Sequence, residues 1–335
     1  MKLLLCTTTV LALQAPRGPH GSPRRGDARH AMPPAVIAEA LVKGPLGVPA
    51  LAAVAGAVLA PLTFYRQGYS FSVGYGSAVG VMALAAVLAV PPTTNLARLA
   101  AGATLFYGFR LALHLLARQL SVPDIAERIK AFDKTPRLKR LPLVAPLALF
   151  YACMTSPLLF ALRAPPKYVL VAQVGCGLAW AGALIEAVAD AQKFLHKRKD
   201  YASKVAGTFT GPLGGLYASC RHPNYFGEVL FWFGLFVSGV PSFGSQVIPY
   251  ACGSLGLYGI YGIMSGATKR LDGKQAEKYG GQPVYDAWAA RTGGLFPRFF
   301  AGGEKGRIKY DLRTNPPRPV LVISGCGAWV DLSSR

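Results

Sequence analysis

Charge is scarce in this chain, and acid scarcer still. Only 15% of its 335 residues are charged, and 15 Asp and Glu stand against 36 Lys and Arg. A soluble domain carries about a quarter charged residues, so the composition argues against an ordinary soluble globule. Cysteine is sparse as well. The six, at 6, 153, 176, 220, 252 and 326, form no CxxC pair and mostly lie in apolar runs. They imply neither a zinc site nor a disulfide framework, and no metal is expected. A dinucleotide-binding GxGxxG at a strand-to-helix turn is missing too: Gly207, Gly211, Gly214 and Gly215 lack that spacing, which argues against a Rossmann fold.

What is present is apolar. Hydrophobic residues make up 52% of the chain and mean hydropathy is +0.33, as in a polytopic membrane protein. The net charge of +21 could point to nucleic acid, but the basic residues are interrupted by apolar spans rather than gathered on one soluble face. Anionic lipid headgroups and a phosphorylated cofactor suit them better, and no nucleic acid partner is expected.

The pattern predicts an all-α, polytopic membrane bundle of about seven transmembrane helices over residues 36–300, with a short C-terminal amphipathic cap. Spans are expected near residues 46–64, 71–90, 96–116, 141–162, 168–189, 229–240 and 247–265, with a basic loop over 118–140. Gly262 and Gly266 form a GxxxG in the last span and suggest close helix packing there. Residues 1–35 read as a targeting segment, a short apolar run followed by an Arg-rich, acid-poor stretch. That pattern fits a plastid leader, and equally a polar tail on an endoplasmic-reticulum protein. Residues 301–335 read as a separate tail. Basic residues concentrate after spans one, three, five and seven, seven of them between Arg118 and Arg140 and six between Lys193 and Arg221. The positive-inside rule puts those loops on one side of the membrane.

Polar groups inside the spans mark the candidate site, because ionisable residues in a bilayer are costly and face the protein interior. Arg110 and His114 lie one turn apart in the third span. A lone His there would more often be a packing residue, but Arg110 beside it favours a function. Glu186 and Asp190 share a face of the fifth span. Paired acids also suit a glycosidase or a metal site, though nothing else supports either. The His196–Lys199 cluster, one turn later, would supply the cations that pair needs. The densest stretch is Cys220-Arg-His-Pro-Asn-Tyr-Phe-Gly-Glu228, which opens the sixth span. Pro223 suits a first helical turn, and Asn224 and Glu228 fall four apart on one face. A plain aromatic and basic interfacial belt would have no use for those two.

Arg221-His-Pro-Asn-Tyr-Phe-Gly-Glu228 resembles the signature of the DUF1295 group of steroid 5α-reductase-like membrane proteins, relatives of sterol C14 reductases and, more distantly, of isoprenylcysteine carboxyl methyltransferases. Tyr69-Ser-Phe-Ser-Val-Gly-Tyr-Gly76, Tyr107-Gly-Phe-Arg-Leu-Ala-Leu-His114, Trp180–Lys193 and the Lys269–Pro297 ending are similar to the same family. Cys220 departs from its usual Ser. The resemblance implies an NADPH-dependent reductase acting on a polarised C=C bond of a steroid, sterol, isoprenoid or enoyl lipid. It implies a cofactor contact at Asp190. By their own chemistry Lys193, Lys197, Arg198 and Arg221 suit its phosphates. His222, Asn224 and Arg291 are candidates to complete the cofactor pocket, and Arg110, His114 and Glu186 are candidates for the substrate pocket. Lys204 adds to the basic cluster suited to phosphates. Tyr75, Tyr225 and Glu228 remain open as candidates for polarising the substrate or donating the proton. An S-adenosylmethionine-dependent methyltransferase and a non-catalytic lipid-binding protein stand as alternatives.

Overall fold

The computed structural model describes residues 47–131, 133–163, 168–200 and 207–298, with the side chains of residues 124 and 197–200 set aside. The expected leader, the tail from residue 301 and Lys204 lie outside the described residues, as do the side chains of Lys197 and Arg198. Nine principal helices follow one another among the described residues: α1 (Val48–Tyr65), α2 (Val73–Ala89), α3 (Asn95–Ser121), α4 (Pro123–Ala131), α5 (Val144–Arg163), α6 (Val169–Asp200), α7 (Pro223–Phe243), α8 (Val247–Tyr279) and α9 (Pro283–Arg291).

Local sequence sets several helix ends. The Thr94 hydroxyl caps α3 by accepting from the Ala97 N–H at 3.1 Å. α1, α7 and α9 each carry a proline in the first turn, where its missing N–H costs nothing. Six stretches, Val48–Tyr65, Asn95–Ser121, Arg137–Arg163, Val169–His196, Pro223–Phe243 and Val247–Tyr279, are long and apolar enough to cross a membrane. The protein is therefore an all-α membrane bundle. The remaining expected span, α2, has 17 residues, about 25 Å at 1.5 Å per residue, somewhat less than a bilayer's hydrocarbon thickness. It is an inner helix, with residues from Val73 to Ala86 buried against its neighbours.

Four expectations need correction. The helices α6 and α8 run to 32 and 33 residues, well past their apolar runs, because backbone hydrogen bonding does not stop where hydropathy falls. Lys269–Tyr279, read as part of a soluble tail, is the continuation of α8, and only α9 forms a separate cap. The 118–140 connection is not all loop, since it contains α4, whose Ile129 packs on Gly68.

The fourth correction concerns where backbones touch. Gly262 and Gly266 have open space beside them, so their GxxxG is not a helix contact among the described residues. Close approach falls instead between α6 and α7, through Gly175 and Gly182 on one helix and Gly227 and Gly234 on the other. A Cβ on Gly227 would stand 2.6 Å from Glu186 N. Gly76 and Gly108 join α2 to α3 in the same way, and Gly256 meets Met154. α5 touches α1, α2, α3, α7 and α8, so it runs through the middle of the contacts.

Polar contacts gather the basic ends. Asp133 accepts from Arg66 Nη1 at 2.7 Å and from the Gln67 N–H at 2.8 Å, and lies 3.1 Å from Arg140 Nη1. Burial opposes its charge, but these donors hold its carboxyl below the ordinary value. Gln119 Nε2 donates to Tyr69 Oη at 2.8 Å. The exits of α1 and α3 thus share one end, as the distribution of basic residues predicted.

Candidate active site

Two polar clusters occupy the interior of the apolar bundle. The first brings together Tyr75 in the first turn of α2, Tyr107 of α3, and Glu228 and Trp232 one turn apart on α7. Tyr75 Oη lies 3.0 Å from Glu228 Oε1 and 3.1 Å from Tyr107 Oη, and it accepts from Trp232 Nε1 at 2.8 Å. All four side chains are buried. Tyr107 stacks on Phe231 with centroids 3.9 Å apart and 3° between planes. The Tyr75 ring also packs against Tyr151 at 4.8 Å.

The second cluster pairs the polar face of α3 with that of α6. Arg110 Nη2 lies 3.2 Å from Glu186 Oε1, too poorly aligned for a hydrogen bond, while Nη1 donates to Asp190 Oδ2 at 3.1 Å. His114 Nε2 is 3.8 Å from the same Asp190 oxygen. Three of the four residues of His196–Lys199, the cluster expected to supply cations to these acids, have side chains outside the described residues. Among the described residues a cation comes from Arg110 on the neighbouring helix α3, which faces this side of α6. Arg110 also lies over the Tyr107 ring at 5.5 Å, which links the two clusters. Glu186 Oε2 is buried with no hydrogen-bond partner among the described residues.

Arg221 and His222 turn elsewhere. Arg221 donates through Nε and Nη2 to the two Asp272 oxygens at 3.1 and 2.8 Å, and through Nη1 to Thr292 O and Ala289 O at 2.8 and 3.1 Å. Its backbone N–H donates to Gly293 O at 2.8 Å, beside a bridge between Cys220 and Gly293. The Asp272 hydrogen bond raises the guanidinium above its ordinary value. His222 Nε2 is 2.8 Å from Asp272 Oδ1, and its ring stacks on Tyr225. Burial lowers the imidazole below 6.5 despite Asp272. Burial likewise pushes the Cys220 thiol up to about 11. This clamp fastens α9, whose Tyr285 and Trp288 pack on Phe209, to the start of α7.

Tyr75, Glu228, Arg110, His114, Glu186 and Asp190 therefore meet in one region. Asn224, Tyr225 and Lys193 are partly exposed toward the basic end, and Arg291 is exposed at the end of α9. Asn224 Oδ1 and His222 Nδ1 are buried without hydrogen-bond partners among the described residues. Sequence reasoning missed Tyr107 and Trp232, which look like ordinary apolar core in their runs. It also missed Arg118 and Arg270, both within electrostatic reach of Tyr225. Among the described residues no three His, Cys, Asp or Glu side chains are grouped to hold a metal. On the far side of α7 from Glu228, an apolar groove of about 510 Å³ lies against α8, lined by residues such as Phe226, Phe233, Tyr258 and Phe296.

No curated protein and no solved structure matches the chain. Residues 71–292 match the family described as Protein of unknown function (DUF1295). That stretch opens just before Tyr75, closes at the Thr292 carbonyl that Arg221 holds, and contains both polar clusters. The chain belongs to the DUF1295 family of multi-pass membrane proteins.

Proposed function

We propose that the protein is an NADPH-dependent reductase that saturates a polarised C=C bond in a lipophilic molecule, of the steroid, sterol, isoprenoid or enoyl-lipid class. The observation that carries this reading is a phenol–carboxyl pair, Tyr75 and Glu228, buried together in an apolar bundle. In such surroundings a tyrosine hydroxyl backed by an acid can polarise a substrate oxygen and give up a proton, and neither act is screened by water. The membrane would be that of the plastid or the endoplasmic reticulum, the two destinations the N-terminal sequence fits.

The residues at the basic end suit an anionic dinucleotide. Arg118, Lys193 and Arg270 supply cations from three helices, and the unpartnered Asn224 Oδ1 and His222 Nδ1 are buried acceptors that a ribose hydroxyl or a carboxamide would satisfy. NADPH, when bound, would supply the hydride. Arg110 holds Glu186 and Asp190 in place, while the aromatic walls around Tyr107 exclude water. Arg221 acts at a distance by keeping the cap docked.

The test is thermal unfolding of the detergent-purified protein with NADPH, NADH or S-adenosylmethionine. Stabilisation by NADPH of about 2.7 kcal/mol at 100 times Kd, weakened in Arg118→Ala and Asn224→Ala, supports the reductase. Stabilisation by S-adenosylmethionine alone replaces it with methyl transfer. A well-folded sample indifferent to all three favours a lipid-binding protein.

A further inference from the structure

Trp232 lies one turn beyond Glu228 on α7 and is 2% exposed. An indole nitrogen can only donate, and it reaches Tyr75 Oη at 2.8 Å. A phenol has one proton and two lone pairs, so Trp232 claims one lone pair outright. Tyr107 Oη at 3.1 Å and Glu228 Oε1 at 3.0 Å then share what is left. An ionised Glu228 can only accept, so Tyr75 must donate to it and accept from Tyr107. A protonated Glu228 can donate to Tyr75, which turns the Tyr75 proton outward, to Tyr107 or to a substrate. The Trp232 contact leaves Tyr75 one lone pair and one proton to divide between Tyr107 and Glu228, and passing the proton on requires the second arrangement.

We propose that Trp232 is a positioning residue, whose donated hydrogen bond fixes the Tyr75 hydroxyl so that a proton held on Glu228 passes through Tyr75 to the reducible bond. The chemistry rests on the reductase reading; the hydrogen bond does not. After hydride addition the substrate is a carbanion or enolate. The Tyr75 O–H bond breaks as its proton goes to that carbon or oxygen. The Glu228 O–H bond breaks as its proton replaces the one lost from Tyr75. Glu228 is left as a carboxylate, and one proton taken up from bulk solvent, carried by water from the basic end, restores it. Throughout, the indole N–H stabilises whatever negative charge gathers on Tyr75 Oη, as a donor in an oxyanion site does.

Two measurements on the full-length protein test this. Trp232→Phe is made alone and in a Tyr75→Phe background, and melting temperatures are compared. Packing loss is common to both backgrounds and cancels. If the donated hydrogen bond matters, the fall in Tm is clearly smaller in the Tyr75→Phe background, where the indole N–H is already stranded. Equal falls overturn the proposal. With NADPH and an enone lipid, Trp232→Phe is expected to lower kcat roughly tenfold or more. KM and the NADPH-induced stabilisation stay unchanged, and the pH–rate profile moves. An unaltered kcat and profile overturn the proton path. If NADPH fails to stabilise the parent protein, the reductase reading falls and takes the proton path with it. The Tm comparison still decides the hydrogen bond.

Discussion

The glycine seam between α6 and α7 can be tested with one methyl group. In Gly227→Ala the new Cβ would lie 2.6 Å from Glu186 N and 2.7 Å from Gly182 O, against ordinary contact beginning at 3.4 Å. The obstacles are backbone atoms, which cannot rotate away, so the helices must part by roughly 0.8 Å, the difference between those two distances. Overpacking of this kind costs about 1–3 kcal/mol, and the better helix propensity of alanine returns at most about 1 kcal/mol. The expected net loss is about 1 kcal/mol, or about 1–2 °C in Tm at about 2.1 cal/mol/K of unfolding entropy per residue. Gly262→Ala is the control. Nothing lies within 4 Å of its added Cβ, so it should be neutral or stabilise by about 0.5–1 kcal/mol. Thermal unfolding of both variants in one detergent is sufficient. Equal stability of the two, or a larger loss at Gly262, would refute the assignment of the seam.

Other consequences can be measured separately. Arg221→Ala removes four hydrogen bonds to Asp272 and the cap carbonyls. Asp272 keeps His222 and is partly exposed, so the cost should be about 2–3 kcal/mol, seen as faster tryptic cleavage around α9; unchanged cleavage would argue against the clamp. The lowered imidazole of His222 means that its contribution to cap docking is complete above pH 6.5 and is lost as pH falls below that through the folded value. Cap proteolysis should rise from neutral to mildly acid pH, and His222→Gln should flatten the dependence. Arg110→Lys keeps the charge but loses the fork that spans Glu186 and Asp190. A stability loss close to that of Arg110→Ala, about 3–5 kcal/mol, is expected in thermal unfolding, and full rescue by Lys would contradict the geometry.

Much of this architecture is legible in the linear chain, because a long apolar run can only be a span and polar residues four apart can only share a face. Arg110 with His114 and Glu186 with Asp190 follow from that spacing, and the structure joins the two faces. What the chain hides is pairing across distance. Arg221 reads as a phosphate ligand because Asp272, its partner, lies 51 residues away. Tyr107 and Trp232 read as packing because a hydroxyl or an indole N–H carries no signal inside an apolar run until a second helix brings its acceptor. The glycines mislead for the same reason. A GxxxG spacing marks a possible contact, but whether another backbone arrives is decided elsewhere, and here it arrives at Gly227 rather than Gly262.

The place of Tyr75 and Glu228 along their helices has a consequence for orientation. Tyr75 is the third residue of α2 and Glu228 the sixth of α7, so both lie within about 8 Å of their helix starts at the basic end, at 1.5 Å per residue. The acid–phenol pair is shallow. A water-borne electron carrier would, under the reductase reading, meet it without entering hydrocarbon, whereas an amphiphile in the same leaflet would rise headgroup-first, its apolar body trailing between the helices. Under the reductase reading, selection then falls on how far a double bond lies from the polar end of its lipid, and a bond near the tail tip is out of register whatever the molecule's shape.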